Sequence, residues 1–486
     1  MTKISFDRAV PYIAGICLPL LVSASLTETI CNHPTIEKSS FRTANRKMGA
    51  LLNETPRLKL LQTVDSVPKT GLSAQDFLLR NYTDVAIATD LEPDDVLALA
   101  LLFEEANRIY AESPNGKYPI NLIIVGEGNT TIKRMRIDKM LQEYFNIPLE
   151  VTIKVIEGRA TKDNIFSYDG EEFFDKKVLE QIPFPEEDNQ AIEALSTWAA
   201  QATNPFVVQL KPAPELVYLD AELAAKTTIF FYGGFNIRKT ATDSTILNDP
   251  QFAFAALPIF SAKLEGLISY LSNRFSKIAV LETFGVLGDQ SSVCSEFEWT
   301  NKIGQMIANS NDKFIQMFRT VSSNWNAYLL DKFLDDCEQL SENLIQKPGN
   351  FTDFFVDIHE DFVQLQQACN QDRFRHLYQN IINHSAEISN HLSEDAGRSW
   401  KTLIRKIGLI NKISASDVQF TLSDILVAMA TTDTSNFFQA TPIQISYDAN
   451  GFLVPVADTK SNVIYYKTLD REKVASRLFQ TFLMLF

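Results

Sequence analysis

The chain has 486 residues, with 45 Lys and Arg against 60 Asp and Glu and a formal charge of -15, enough for one large α/β domain carrying an insertion. That charge repels phosphate backbones and argues against nucleic acid as a partner. Five cysteines, Cys17, Cys31, Cys294, Cys337 and Cys369, lack paired spacing, so neither a zinc site nor a disulfide framework can be read from them and the redox compartment stays open.

Residues 1–80 read as a lead-in. Lys3 and Arg8 precede an uncharged stretch from Ala9 to Leu26 with small residues at Val22-Ser23-Ala24, so residues 1–24 fit a signal peptide and export. Pro11 and Pro19 interrupt that stretch, and a buried N-terminal segment of a cytoplasmic chain would look similar. No other run is long and apolar enough to span a bilayer, so once any signal peptide is removed no membrane partner is expected. Over 81–295, short apolar runs alternate with amphipathic ones. The strands are expected at 85–89, 121–125, 151–156, 206–210, 228–232 and 277–281, and the helices at 94–110, 131–144, 191–201 and 251–271. This order predicts an α/β fold with a doubly wound, mostly parallel sheet and helices on both faces. Residues 296–410 change to long amphipathic stretches at 313–340, 351–367 and 374–392, which predict an all-helical insertion. Within 411–486 a short helix at 423–430 and strands at 441–447 and 452–455 close the α/β domain.

One segment concentrates chemistry. Asp90 directly follows the first expected strand, and Thr89-Asp90-Leu91-Glu92-Pro93-Asp94-Asp95 leads into the first helix with Pro93 suited to its first position. In parallel sheets, ligands bind outside the carboxyl ends of strands. Acidic residues also cap helices and complement the helix dipole, which is the structural alternative. Four carboxylates within six positions, Asp90, Glu92, Asp94 and Asp95, repel one another unless protons or a cation compensate, so capping alone is a poor account. Neither His nor Cys occurs between His33 and Cys294, which favours an oxygen-ligated hard cation such as calcium over zinc.

The strand-Asp-x-x-x-Asp-Asp-helix pattern resembles the inosine-uridine type nucleoside hydrolases. Further blocks resemble that family in order across about 85–458. They are Ile123-Ile124-Val125-Gly126-Glu127-Gly128-Asn129, Glu157-Gly158-Arg159-Ala160, Tyr168-Asp169-Gly170, the run from Phe206 to Leu216, Phe230-Phe231-Tyr232-Gly233-Gly234-Phe235 and Asn248-Asp249-Pro250. Leu422-Ser423-Asp424-Ile425-Leu426-Val427-Ala428 resembles a last block whose Asp completes a calcium shell, more than three hundred residues after the first. The resemblance implies a Ca²⁺-dependent N-glycosyl hydrolase acting on a nucleoside or other ribosyl compound, a reading with which homo-oligomerisation is compatible. It makes Asp90 general base and metal ligand, Asp95 a bidentate ligand, Leu210 a ligand through its carbonyl and Asp424 a further ligand. It places Asp94 on the ribose 2′-hydroxyl and Asn129 toward the pocket.

The chain also departs from the pattern. The family's ribose-holding Glu-x-Asn reads Asp243 and Thr245 here, an upstream Asn falls at Ile237 with Asn236 one position away, and a leaving-group His is Ser423. A serine hydroxyl is no useful acid near neutral pH, which leaves His376, His384 and His391 of the insertion, or solvent, to protonate a leaving base. An alternative is a non-catalytic or attenuated metal- and ribosyl-binding protein that uses the helical insertion as an interaction surface. A phosphate-ester hydrolase ranks lower, since the first βα turn lacks a glycine cradle, although Lys211, Arg238 and Lys239 could approach an anion.

Overall fold

Runs rich in Val and Ile separated by amphipathic segments fold as alternating strands and helices, because each element can bury its apolar face only against the other kind. The structure is a computed structural model that describes residues 71–113, 116–158, 160, 173–174, 176–185, 190–211, 214–233, 274–282, 309–346, 351–367, 371–414, 423–432, 438–447 and 453–468. The expected helix at 251–271, the loop at Tyr168-Asp169-Gly170 and residues 1–24 lie outside them.

The strands are β1 (Asp84–Thr89), β2 (Ile120–Val125), β3 (Lys154–Glu157), β4 (Pro205–Gln209), β5 (Thr228–Gly233), β6 (Lys277–Glu282), β7 (Phe438–Tyr447), β8 (Leu453–Ala457) and β9 (Val463–Thr468). They form a nine-stranded sheet in the order β3-β2-β1-β4-β5-β6-β9-β7-β8. Strands β1 to β6 and β9 pair in parallel, while β7 runs antiparallel to both β9 and β8. The α/β class expected from the sequence is therefore the observed one. Strand β8 ends the sheet and carries Pro455, which lacks a ladder donor and suits an edge.

The helices packed with this sheet include α1 (Pro93–Glu112), α2 (Thr130–Glu143), α3 (Gln190–Gln201) and α4 (Ala221–Lys226). Side chains alternate between the faces of each strand. Ala86, Ala88, Leu122, Ile124, Val207, Ile229, Phe231, Ile278 and Val280 share one buried cluster with Ala191, Leu195 and Ala199 of α3. Among residues of the other parity, Phe206 stacks on Tyr82 with ring centroids 4.4 Å apart, and Phe230 packs against Phe77 and Tyr466 at 6.1 and 4.9 Å.

Local chemistry moved several boundaries. Strand β3 begins at Lys154 rather than at 151, because Val151 N donates to Pro148 O and the preceding residues are a turn. Helix α4 and strand β9 were not anticipated; Asp220 caps α4 by accepting from Leu223 N at 2.8 Å. β9 enters the sheet between β6 and β7.

Among the described residues the chain divides into two compact units, a sheet unit up to Val321 and from Ser423 onward, and a helical unit from Ser322 to Ser414. The helical unit contains most of α5 (Lys313–Ile345), together with α6 (Thr352–Gln367), α7 (Gln371–His391) and α8 (Glu394–Ser414). Helix α8 was not singled out from the sequence, and its buried stripe is Trp400, Leu403, Ile407 and Ile410. Trp400 meets Phe354 and Phe355 of α6, and its indole N–H donates to Ser385 O of α7 at 3.4 Å. Cys337, buried in this unit, is a free thiol that burial pushes up to about 12. After it the chain returns to the sheet unit as α9 (Ser423–Thr432), which packs along α1.

Phe230 is wholly buried between Phe77 and Tyr466. Phe230→Ala is expected to destabilise the sheet unit by about 3–5 kcal/mol, read as a lower denaturant midpoint; a change under about 1 kcal/mol would contradict this packing.

Candidate metal centre

The order β3-β2-β1-β4-β5-β6 reverses direction beside β1, and the crevice outside its carboxyl end is where doubly wound sheets take ligands. The backbone there is held in an unusual shape. Leu91 adopts φ 57°, a left-handed conformation that costs a non-glycine residue energy, and Glu127 after β2 does the same at φ 59°, followed by Gly128 at φ 58°. Two buried groups hold the first turn. Thr89 Oγ1 accepts from Leu91 N at 3.1 Å, and the Arg136 guanidinium of α2 donates to Leu91 O at 3.3 Å.

From this turn the chain enters α1 with Glu92 as N-cap and Pro93 at the first helical position. Glu92 makes no side-chain capping bond, so it does not do the structural job an acidic cap residue would explain. Asp94 and Asp95 fall in the first turn of α1 and Asp424 in the first turn of α9. Because α9 packs along α1, the two helix starts bring these carboxylates together. Asp94, Asp95 and Asp424, all buried, have oxygens within 4.8 Å of one another. Asp90 is not one of that trio; it reaches the cluster through its backbone amide, which donates to Asp95 Oδ1 at 3.3 Å, and through its charge, which raises both Asp94 and Asp95.

The hydrogen bonds leave part of this cluster unsatisfied. Asp95 Oδ1 accepts from Thr89 Oγ1 at 2.6 Å and from Asp90 N at 3.3 Å. Asp95 Oδ2, Asp424 Oδ1 and Glu92 Oε1 are buried with no hydrogen-bond partner among the described residues. A buried, unmatched carboxylate oxygen is costly. Burial and the neighbouring charges of Asp90 and Asp94 hold the Asp95 carboxyl well above the usual range, and burial with the charges of Asp94, Asp95 and Asp90 does the same to Asp424. Glu92 is raised likewise by burial and by Asp90, Asp94 and Asp95, with Lys133 opposing, and burial with the Asp90 charge pushes Asp94 up to about 7.

The other end of β1 gives the contrast. Asp84 is also buried, and burial pushes its carboxyl upward, but donors from Lys117, Thr83 and the Thr203 amide outweigh that and hold it below its ordinary value. The carboxylate at the amino end of the strand has donors to both oxygens, while Asp95 and Asp424 at the carboxyl end each keep one oxygen unpartnered among the described residues.

A hard cation suits what remains. Calcium takes oxygen ligands at about 2.3–2.6 Å, so two oxygens on one ion are at most about 5 Å apart; the 4.8 Å spread of the trio allows a single ion to reach all three. Leu210 directly follows β4, and its amide donates to Ala88 O at 2.8 Å, which fixes its backbone beside the end of β1. Asn129 is differently engaged: its Oδ1 caps α2 by accepting from Ile132 N at 3.3 Å, and its Nδ2 donates to Pro183 O at 3.4 Å. Asn236, Asp243 and Thr245 lie outside the described residues. His376, His384 and His391 are exposed on α7, where His384 and His391 bond the carbonyls of Asn380 and Glu387 one turn earlier.

Sequence reasoning gave no role to Thr89, Arg136 or Lys133. Thr89 stood inside the acidic segment, but only geometry shows its hydroxyl orienting Asp95. Arg136 and Lys133 carried no signal, since a charged residue on a helix normally reads as solvated.

No family model matches the chain, and no curated protein matches it. Among solved structures, an inosine-guanosine nucleoside hydrolase is similar at 12% identity and a TM-score of 0.40, over 81% of this chain and 97% of that one. Among the described residues, no helix is long and apolar enough to cross a membrane.

Raised carboxyl pKa values mean that, without a cation, the folded chain holds more protons than the unfolded chain above the ordinary Asp value of about 3.9. The stability from this site is fully present below that value and is lost as pH rises through about 7. With a chelator present, the melting temperature is expected to fall between pH 5 and 8, and calcium at pH 8 to restore it. A melting temperature that is flat over that interval and indifferent to calcium would contradict this electrostatic account.

Proposed function

We propose that the chain is a calcium-dependent hydrolase of the N-glycosidic bond of a nucleoside or related ribosyl compound. The observation that carries this reading is the meeting of Asp424 with Asp94 and Asp95 at the carboxyl end of β1, with oxygens of Asp95 and Asp424 buried and unpartnered. The residue-level support is the Asp-x-x-x-Asp-Asp pattern and the order of the blocks that follow it. Asp90, Asp95 and Asp424, with the Leu210 carbonyl, are the proposed ligands.

When bound, calcium would favour ionisation of an attacking water and neutralise the cluster. In the proposed reaction Asp90 accepts the proton of that water as its oxygen bonds the anomeric carbon and the carbon–nitrogen bond breaks. Asp94 accepts a hydrogen bond from the ribose 2′-hydroxyl and holds the sugar against the crevice. Positive charge develops on the sugar as the base departs, and a site lined by carboxylates favours it. The departing base takes its proton from solvent, because Ser423 is too weak an acid for the task.

A second reading has its own support. Ser423 stands where the resemblance puts a histidine, and the Asn129 amide is engaged in capping α2. Both fit a protein that binds a cation and a ribosyl group with little or no turnover.

Ribose release from a panel containing inosine, guanosine and uridine, with calcium and with chelator, tests the proposal. Calcium-dependent release is expected. Asp90→Asn is expected to lower kcat by about 10²–10⁴-fold, and Asp95→Ala to abolish calcium binding in calorimetry. No release alongside measurable ribose binding would favour the second reading, and unchanged calcium affinity in Asp95→Ala would remove the site assignment.

A further inference from the structure

A lysine crosses the end of β1. Strands β2 and β4 lie on either side of β1; Gly126 N donates to Thr89 O and Leu210 N to Ala88 O, so both neighbours continue the ladder past their ends. In that register Gly126 and Lys211 stand level with Asp90. Continuing the alternation puts all three on one face, since Ala86 and Ala88, Leu122 and Ile124, and Val207 share one buried cluster. Strands two places apart are about 9–10 Å apart, within reach of an extended lysine. A Cβ added to Gly126 would lie 2.3 Å from Lys211 Nζ and 2.4 Å from its Cε. Lys211, 1% exposed, therefore lies over β1 in the space that Gly126 leaves by having no side chain. Lys133 Nζ donates to the carbonyl of the same glycine at 3.4 Å. The charged groups of opposite sign on these strand-end loops are Glu127 and Glu215, both buried, besides the acidic segment itself.

We propose that Lys211 is a built-in counter-charge of the carboxylate centre. It supplies part of the positive charge that the acidic cluster requires when no divalent cation is bound, and so opposes the binding of that cation. This rests on the reading of the cluster as a cation site. Buried carboxylates this close cannot all ionise without compensation, and a wholly buried ammonium is stable only near negative charge. Even unit charges about 10 Å apart, at an effective dielectric of about 20, change an equilibrium constant more than tenfold. Lys211 thus keeps the metal-free centre foldable while setting a ceiling on its affinity.

The test is a calorimetric calcium titration of the full chain as wild type, Lys211→Met and Gly126→Ala, with melting temperatures measured in chelator and in calcium. Lys211→Met removes the charge and keeps the length. Gly126→Ala keeps every charged group and forces the ammonium to leave its place. Both variants are expected to bind calcium about tenfold or more tighter than wild type, and to gain more melting temperature from calcium, because their metal-free forms are less stable. A purely structural lysine would not raise affinity. Calcium binding by wild type with equal or weaker binding by both variants overturns the role of Lys211 alone; no calcium binding by wild type overturns the cation site and this inference with it. Should Lys211→Met fail to fold, the affinity of Gly126→Ala decides.

Discussion

Like charges in a dry crevice constrain everything around the end of β1. Asp94, Asp95 and Asp424 have oxygens within 4.8 Å of one another, Asp90 adds its charge from the preceding turn, and burial deprives them of the water that would screen their repulsion. Such an arrangement persists only if the surrounding fold enforces it. Asp94 and Asp95 lie in the first turn of α1 and Asp424 in that of α9, where the helix dipole favours negative charge. The Thr89 hydroxyl fixes one oxygen of Asp95, and Arg136 secures the left-handed turn at Leu91 from the neighbouring helix. None of these groups removes the need for positive charge at the centre.

The sheet explains how that need became a site. A nine-stranded, mostly parallel sheet sets the ends of β2, β1 and β4 side by side, and the connection through the helical unit returns the chain as α9 against α1. Asp424 is thus delivered by tertiary packing rather than by a local loop. The two ends of β1 show the difference between structural and functional burial. Asp84 has Lys117 and three further donors, whereas Asp95 and Asp424 each keep an oxygen without a hydrogen-bond partner among the described residues.

Much of the fold was legible because its signals are local. The Val- and Ile-rich runs that became β1, β2, β4, β5 and β6 are short, buried and bounded by polar turns, and the amphipathic periods of α1, α2 and α3 separate them. Strand β9 was harder to read, since Val463-Ile464-Tyr465-Tyr466 follows a hairpin and gains its place only by pairing with β6. The acidic segment from Asp90 to Asp95 announced itself by unlikely density of charge. Asp424 had no such signal and was reached through resemblance alone. Lys211 and Gly126 could not be paired from sequence, because their contact depends on strand order: it joins two residues from strands that never touch each other.

The central claim is that the carboxylates at the end of β1 are compensated by a divalent cation. Anomalous diffraction from crystals grown with calcium, and with a lanthanide in its place, tests it most directly. The account predicts one strong peak about 2.3–2.6 Å from carboxylate oxygens of Asp95 and Asp424. A well-ordered crevice at saturating cation with no peak, the carboxyl groups instead paired through shared protons, would contradict it.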